Sequence, residues 1–82
     1  QYIYVVDRGS VLVGVLRLRD LLLARPSTPL AQLMIAEPAS VRDTATLEEL
    51  EDLFDERGLL GVPVVDRRGR LVGLVRRVEV EE

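Results

Sequence analysis

The sequence predicts a small α/β (α+β) fold, with short strands paired in small mixed sheets and short helices packed against them. Three observations predict it. Apolar runs rich in β-branched residues come in pairs around turns containing Gly, at residues 2–16 and 60–75, as β-hairpins require. The two pairs are one unit written twice. Val5-Val6-Asp7 returns as Val64-Val65-Asp66, Leu12-Val13-Gly14 as Leu71-Val72-Gly73, Arg17 as Arg76 and Asp20 as Glu79, each 59 positions on and without a gap. Between them lies the longest helical pattern, residues 47–57. Repeats of this kind bury a shared face by stacking.

Taken in order, residues 2–7 read as a buried strand, Arg8-Gly9-Ser10 as a turn, and residues 11–16 as a second strand with both faces covered. A short helix over residues 18–24 follows at once, with Asp20 in its first turn, where the helix dipole favours negative charge. Pro26 ends it. In the linker at residues 25–29, Thr28 is placed to cap the next helical turn, with Pro29 at its first position. Residues 30–34 are helical, with Leu30, Leu33 and Met34 on one face, and Pro38 precedes a short extended piece at residues 39–41.

The long helix, residues 47–57, carries a capping box at Thr46 and Glu49, a stop at Gly58, and an apolar stripe of Leu47, Leu50, Leu53 and Phe54. Residues 60–66 form the next strand. Pro63 within it argues for a sheet edge or an irregular start. Arg67-Arg68-Gly69-Arg70 is the turn, residues 71–75 the partner strand, and residues 76–82 begin a last helix, which Val78 and Val80 weaken.

Composition narrows the function. The 82 residues suffice for one small domain. Net charge is −3, which gives a nucleic-acid partner little electrostatic support. With no Cys there is no disulfide framework or thiolate site, and with no His the commonest general base and transition-metal ligand are missing. Ser10, Ser27 and Ser40 lie in turns or extended pieces with no base beside them, so the chain reads as non-catalytic. No stretch is long and apolar enough to span a bilayer. Because Gln1 falls inside a strand pattern, the chain is expected to be a piece of a longer protein.

The strand, turn, strand, Gly, helix and acid order of Gly14-Val15-Leu16-Arg17-Leu18-Arg19-Asp20 and Gly73-Leu74-Val75-Arg76-Arg77-Val78-Glu79 resembles the cystathionine-β-synthase (CBS) domain. In that family a β-α-β-β-α motif packs as a pseudo-symmetric pair. The resemblance makes residues 1–25 the closing β-β-α half of a first motif, and residues 26–82 a linker with a nearly complete second one. Tyr2-Ile3-Tyr4-Val5-Val6-Asp7, residues 18–24 and residues 28–34 are similar to the cytosolic part of MgtE-type magnesium transporters.

The resemblance implies a regulatory module on the cytoplasmic face of a bacterial inner membrane, between N-terminal cytosolic and C-terminal membrane domains, paired as a homodimer. It also implies adenine nucleotide, ATP or AMP, in the cleft between motifs. Tyr2 would stack on the base, Arg19 meet phosphate, Asp20 bind the ribose hydroxyls and Leu59 line the far wall. Arg17 and Arg76 stand where the family carries a hydroxyl, and Glu79 is one methylene longer than Asp. The alternative is a nucleotide-sensing CBS module of a soluble enzyme or a stand-alone protein.

Glu48, Glu51, Asp52 and Asp55 fall at i, i+3, i+4 and i+7, one acidic stripe flanked by Glu49 and Glu56. Like charges at i+4 cost roughly 0.2–0.5 kcal/mol per pair. A hydrated Mg2+ touching one or two carboxylates offsets such repulsion, and a solvated face is the plain alternative. The transporter resemblance implies Mg2+ regulation through Glu48 and Glu79.

Overall fold

The computed structural model describes residues 2–77, which fall into two compact units, Gln1–Pro38 and Ala39–Glu82. The first holds β1 (Tyr2–Val6), β2 (Leu12–Arg17), α1 (Leu18–Leu23), α2 (Leu30–Leu33) and β3 (Ile35–Ala36). The second holds β4 (Val41–Arg42), α3 (Leu47–Arg57), β5 (Gly61–Val65) and β6 (Leu71–Arg76). Each unit contains one three-stranded sheet, ordered β1-β2-β3 and β4-β5-β6.

The repeat seen in the sequence is a repeat of backbone. In β1 and β2, Tyr2 faces Arg17, Val5 faces Gly14 and Val6 faces Leu12, with a bulge between Val5 and Val6. In β5 and β6, Gly61 faces Arg76, Val64 faces Gly73 and Val65 faces Leu71, with the bulge between Val64 and Val65. The turns match atom for atom. Asp7 Oδ1 accepts the Gly9 and Val11 amides at 2.8 and 3.0 Å, and Asp66 Oδ1 accepts those of Arg68 and Arg70 at 2.9 and 3.0 Å. A carboxylate two residues before the bend thus fixes the turn from within. The left-handed position falls on Ser10 (φ 67°) in the first turn and on Gly69 (φ 80°) in the second. Only the second copy puts glycine where that conformation is free of strain.

The third strand joins on opposite sides. β3 lies antiparallel to β2, so β2 is central in the first unit. β4 lies parallel to β5, so β5 is central in the second. Burial follows. Adjacent residues on opposite faces are buried in both central strands, Val15 and Leu16 in β2, Val62 and Pro63 in β5. β3 carries no strand signature in the sequence; Ile35 and Ala36 pair because Met34 packs over Gly14, where an added Cβ would come within 2.6 Å of the Met34 sulfur.

Several expectations are corrected. β1 is not buried: Tyr2, Ile3 and Val6 are all exposed, because β1 is an outer strand of its sheet. Pro63 is not at an edge; it sits in central β5. The Asp43 amide donates to the Val65 carbonyl, so Pro63, two residues back, also turns its backbone toward β4. β4 begins only at Val41, opposite Val64, and the missing N–H therefore costs the ladder no bond. Thr28 does not cap. Pro29 is extended and serves as the N-cap of α2, with no side-chain cap bond. α3 matches its predicted span, with both capping-box bonds and Gly58 left-handed, but of its stripe Leu47 is exposed and only Phe54 is buried. The predicted last helix lies outside the described residues beyond Arg77.

Candidate functional site

The site residues of the first unit meet where β2 passes into α1. Arg17 is the last residue of β2 and the extended N-cap of α1, and it makes no side-chain cap bond. It pairs across the hairpin with Tyr2. That pairing sets Tyr2 beside Arg17, Leu18 and Arg19, and the four line a cleft of about 140 Å3. Of the sequence-predicted set, Tyr2 and Arg19 therefore share one cleft.

Asp20 lies one residue further into α1, and it is engaged. The Arg17 Nε donates to its Oδ2 at 2.8 Å, with the carboxylate about one-quarter and the arginine about one-half exposed. The bond is charge-assisted, and it leaves acceptor sites on both oxygens of the carboxylate. Arg19 has no ion-pair partner among the described residues. Two arginines thus line the cleft, one of them paired with Asp20, which makes it locally cationic although the chain is acidic. Tyr2 supplies an exposed ring for stacking. Behind it, burial pushes the Tyr4 phenol above its ordinary range, with a smaller contribution from Tyr2.

The other predicted residues lie in the second unit. Leu59 is half-buried between α3 and β5, and Glu48 is exposed in the first turn of α3. Glu79 lies outside the described residues. Along α3, Arg77 takes Asp55 at 2.9 Å and also donates to the Phe54 carbonyl at 3.1 Å. Asp55 is thus charge-paired, while Glu48, Glu51, Asp52 and Glu56 have no ion-pair partner among the described residues. No group of three acidic side chains converges among the described residues as a metal cage does.

The sequence reading missed an open cleft of about 420 Å3 lined by Arg42, Asp43, Thr44, Asp66, Arg67, Arg68 and Arg70. Its only sequence signal is the run Arg67-Arg68-Gly69-Arg70. Arg70 is held by Asp66 at 2.7 Å and Arg42 lies 3.7 Å from Asp43. Hydrogen bonds from the Arg70 amide and guanidinium and the Arg68 amide hold the Asp66 carboxyl below its ordinary range.

The CBS domain family matches residues 30–80. The magnesium transporter MgtE of Thermus thermophilus is 46% identical over 74 residues, covering 90% of this chain. The chain spans 16% of the length of the curated transporters it matches. Among solved structures, the cytosolic domain of the Mg2+ channel MgtE in complex with ATP superposes with a TM-score of 0.90 at 44% identity, covering 98% of this chain and 32% of that one. CBSX2 in complex with AMP superposes at 0.81 with 32% identity, over 98% of this chain and 67% of its own.

Proposed function

The chain belongs to the CBS-domain family, and from that premise we propose that it is a non-catalytic regulatory module of a magnesium transporter, binding adenine nucleotide and responding to Mg2+ to gate transport. Its copies are residues 1–25 and 26–82. The observation that carries the nucleotide reading is the cleft itself: Tyr2, Arg17 and Arg19 line it, and Arg17 ties Asp20 to its border. Tyr2 stacks on the base, Asp20 accepts the ribose hydroxyls and Arg19 meets phosphate. The cleft is smaller than the roughly 300–1,000 Å3 of a complete small-molecule pocket, so it supplies one side of the site. The relatives bound to ATP and to AMP support the ligand class.

The second copy supports the same assignment by contrast. At the positions of Tyr2, Arg19 and Asp20 it carries Gly61, Val78 and Glu79, with no ring, no phosphate-binding cation and a longer acid. Calorimetry with ATP or AMP tests the site. Weak binding that Asp20→Ala abolishes supports it, and equal affinity in wild type and variant removes Asp20 from the site.

Mg2+ sensing rests on the uncompensated acids of α3. A hydrated Mg2+ touches only one or two carboxylates, and Glu48 and Glu79 are the proposed contacts. A bound ion stabilises whichever state binds it better. Millimolar Mg2+ should therefore raise thermal stability beyond monovalent salt of equal ionic strength, and Glu48→Gln with Glu79→Gln should shrink that gain. If matched monovalent salt reproduces the whole shift, the acids act as a screened surface.

In the full protein the module is proposed to lie at the cytoplasmic face of a bacterial inner membrane, joined to N-terminal cytosolic and C-terminal membrane domains and paired as a homodimer, with no nucleic-acid partner. Among the described residues no helix is long and apolar enough to cross a membrane. The exposed Ile3, Leu22 and Leu23 of the first unit support the dimer, because apolar groups of this number favour burial. Sedimentation of a compact monomer at tens of micromolar would count against it. A nucleotide-sensing module of a soluble protein is the second reading, favoured by the likeness to CBSX2. Hydrophobic spans encoded after residue 82 decide for the transporter.

A further inference from the structure

The fold does not account for the arginines that line the larger cleft of the second unit. Its turn closes on Asp66, whose Oδ1 accepts the Arg68 and Arg70 amides at 2.9 and 3.0 Å. The first copy makes the same two bonds from Asp7 to the amides of Gly9 and Val11. Those residues stand at the positions of Arg68 and Arg70, so the turn needs neither guanidinium. The charges around the cleft are also unevenly paired. Asp66 Oδ2 accepts the Arg70 Nε at 2.7 Å, which holds Arg70 in place and leaves the donors on its terminal nitrogens. Arg42 lies 3.7 Å from Asp43. Arg67 and Arg68 have no ion-pair partner among the described residues. Four arginines against two aspartates give the lining a net charge of +2, in a chain of net charge −3.

We propose that this cleft binds small molecules through a diphosphate group. An arginine fork meets two phosphate oxygens at once. The two unpaired forks, Arg67 and Arg68, match the two phosphates, while Arg42, Arg70 and the Thr44 hydroxyl supply further donors around them. The net positive lining balances the charge that a diphosphate brings. The volume of about 420 Å3 falls within the roughly 300–1,000 Å3 of small-molecule sites. The site is separate from the nucleotide reading above. Asp66 to Arg70 form the turn end of the hairpin, whereas Gly61 and Arg76, the counterparts of Tyr2 and Arg17, pair at its other end.

Calorimetry with inorganic pyrophosphate, phosphate, sulfate and citrate tests this, without divalent ions and at an ionic strength of about 0.15 M. The proteins are wild type, Arg67→Gln with Arg68→Gln, Arg70→Lys and Asp20→Ala. Arg67 and Arg68 are exposed, and glutamine keeps the amide that Asp66 holds, so the double variant is expected to fold, which circular dichroism checks. Wild type should bind pyrophosphate more tightly than the other anions. The double variant should weaken it by about tenfold or more. Arg70→Lys, which keeps the charge without the fork, should weaken it less and serves as the measure if the double variant does not fold. Asp20→Ala should leave it unchanged. No saturable binding, or equal affinity for all four anions, would mean a screened basic surface and overturn the site. Loss in Asp20→Ala with full binding in the double variant would place the anion in the first cleft; the diphosphate site then fails and the nucleotide site stands. Binding to phosphatidylglycerol vesicles through Arg67 and Arg68, without pyrophosphate binding, would assign this face to a membrane and also overturn it. Pyrophosphate held by Arg67 and Arg68, with ATP showing no dependence on Asp20, would uphold the diphosphate site and remove the nucleotide one.

Discussion

The two hairpins share register, bulge and turn bonds, yet they bury opposite strands. In the second unit the first strand of the hairpin, β5, is central and Val62 is 0% exposed; in the first unit its counterpart β1 is outermost and Ile3 is 44% exposed. The third strand makes the difference, because it is parallel and joins β5 in one unit and is antiparallel and joins β2 in the other. The hairpin is therefore encoded locally, and what is buried is decided by the segment that comes to lie beside it. The functional contrast runs the same way. The exposed outer strand leaves Tyr2 free to face a ligand, whereas the second copy has Gly61 at that position and uses the strand as core.

The strongest test of this contrast is a pair of truncations at matched positions. Val62→Ala should cost about 2 kcal/mol, from lost transfer energy and an unfilled cavity. Ile3→Ala, although it removes more atoms, should cost under about 1 kcal/mol in the monomer, because much of that side chain is already wet. Urea unfolding measures both, and equal losses would show that β1 is buried in solution.

The repeated glycine separates the copies next. Gly14→Ala places a methyl against Met34, with approaches of 2.6 and 2.9 Å to its sulfur and Cγ, and should cost on the order of 1–3 kcal/mol unless the flexible methionine yields. At Gly73 the nearest atom, Val64 Cβ, is 4.0 Å away, so Gly73→Ala should be close to neutral. A smaller effect is expected in the turns. Ser10→Gly should stabilise by up to about 1 kcal/mol by relieving the left-handed strain, and Gly69→Ala should destabilise by a similar amount. Thermal unfolding of the two variants, shifting in opposite directions, checks it.

Much of this fold was legible because its signals are local. Thr46, Glu49 and Gly58 bracketed α3 to the residue, and Asp7 and Asp66 marked equivalent turns. What was not legible depends on partners distant in sequence. Nothing in Tyr2-Ile3-Tyr4 distinguishes a central strand from an outer one, and a two-residue strand such as β3 leaves no periodicity to read. Pro63 misled because the rule for proline in sheets concerns the hydrogen-bonding side, and that side is set by where β4 begins. In the site, residue types suggested Tyr2, Arg19 and Asp20, but the Arg17–Asp20 bond needed side-chain geometry.

A minor effect distinguishes the turns in acid. The Asp66 carboxyl titrates below its ordinary range, so its contribution to stability is present above the pKa of the unfolded chain and is lost as pH falls through the lower folded value. Asp66→Asn should flatten the part of the stability profile that falls away below the ordinary aspartate range. An unchanged profile would mean that the bonds to Arg70 and Arg68 contribute nothing in solution.

The measurement that bears most directly on the central claim, that the first copy carries the nucleotide site and the second copy does not, is an ATP titration followed by backbone amide chemical shifts. The account predicts that Tyr2, Arg17, Arg19 and Asp20 shift together with one dissociation constant, and that Gly61 and Arg76, their counterparts of Tyr2 and Arg17 in the second hairpin, stay in place. Shifts centred on Gly61 and Arg76, or none at Asp20, would contradict it.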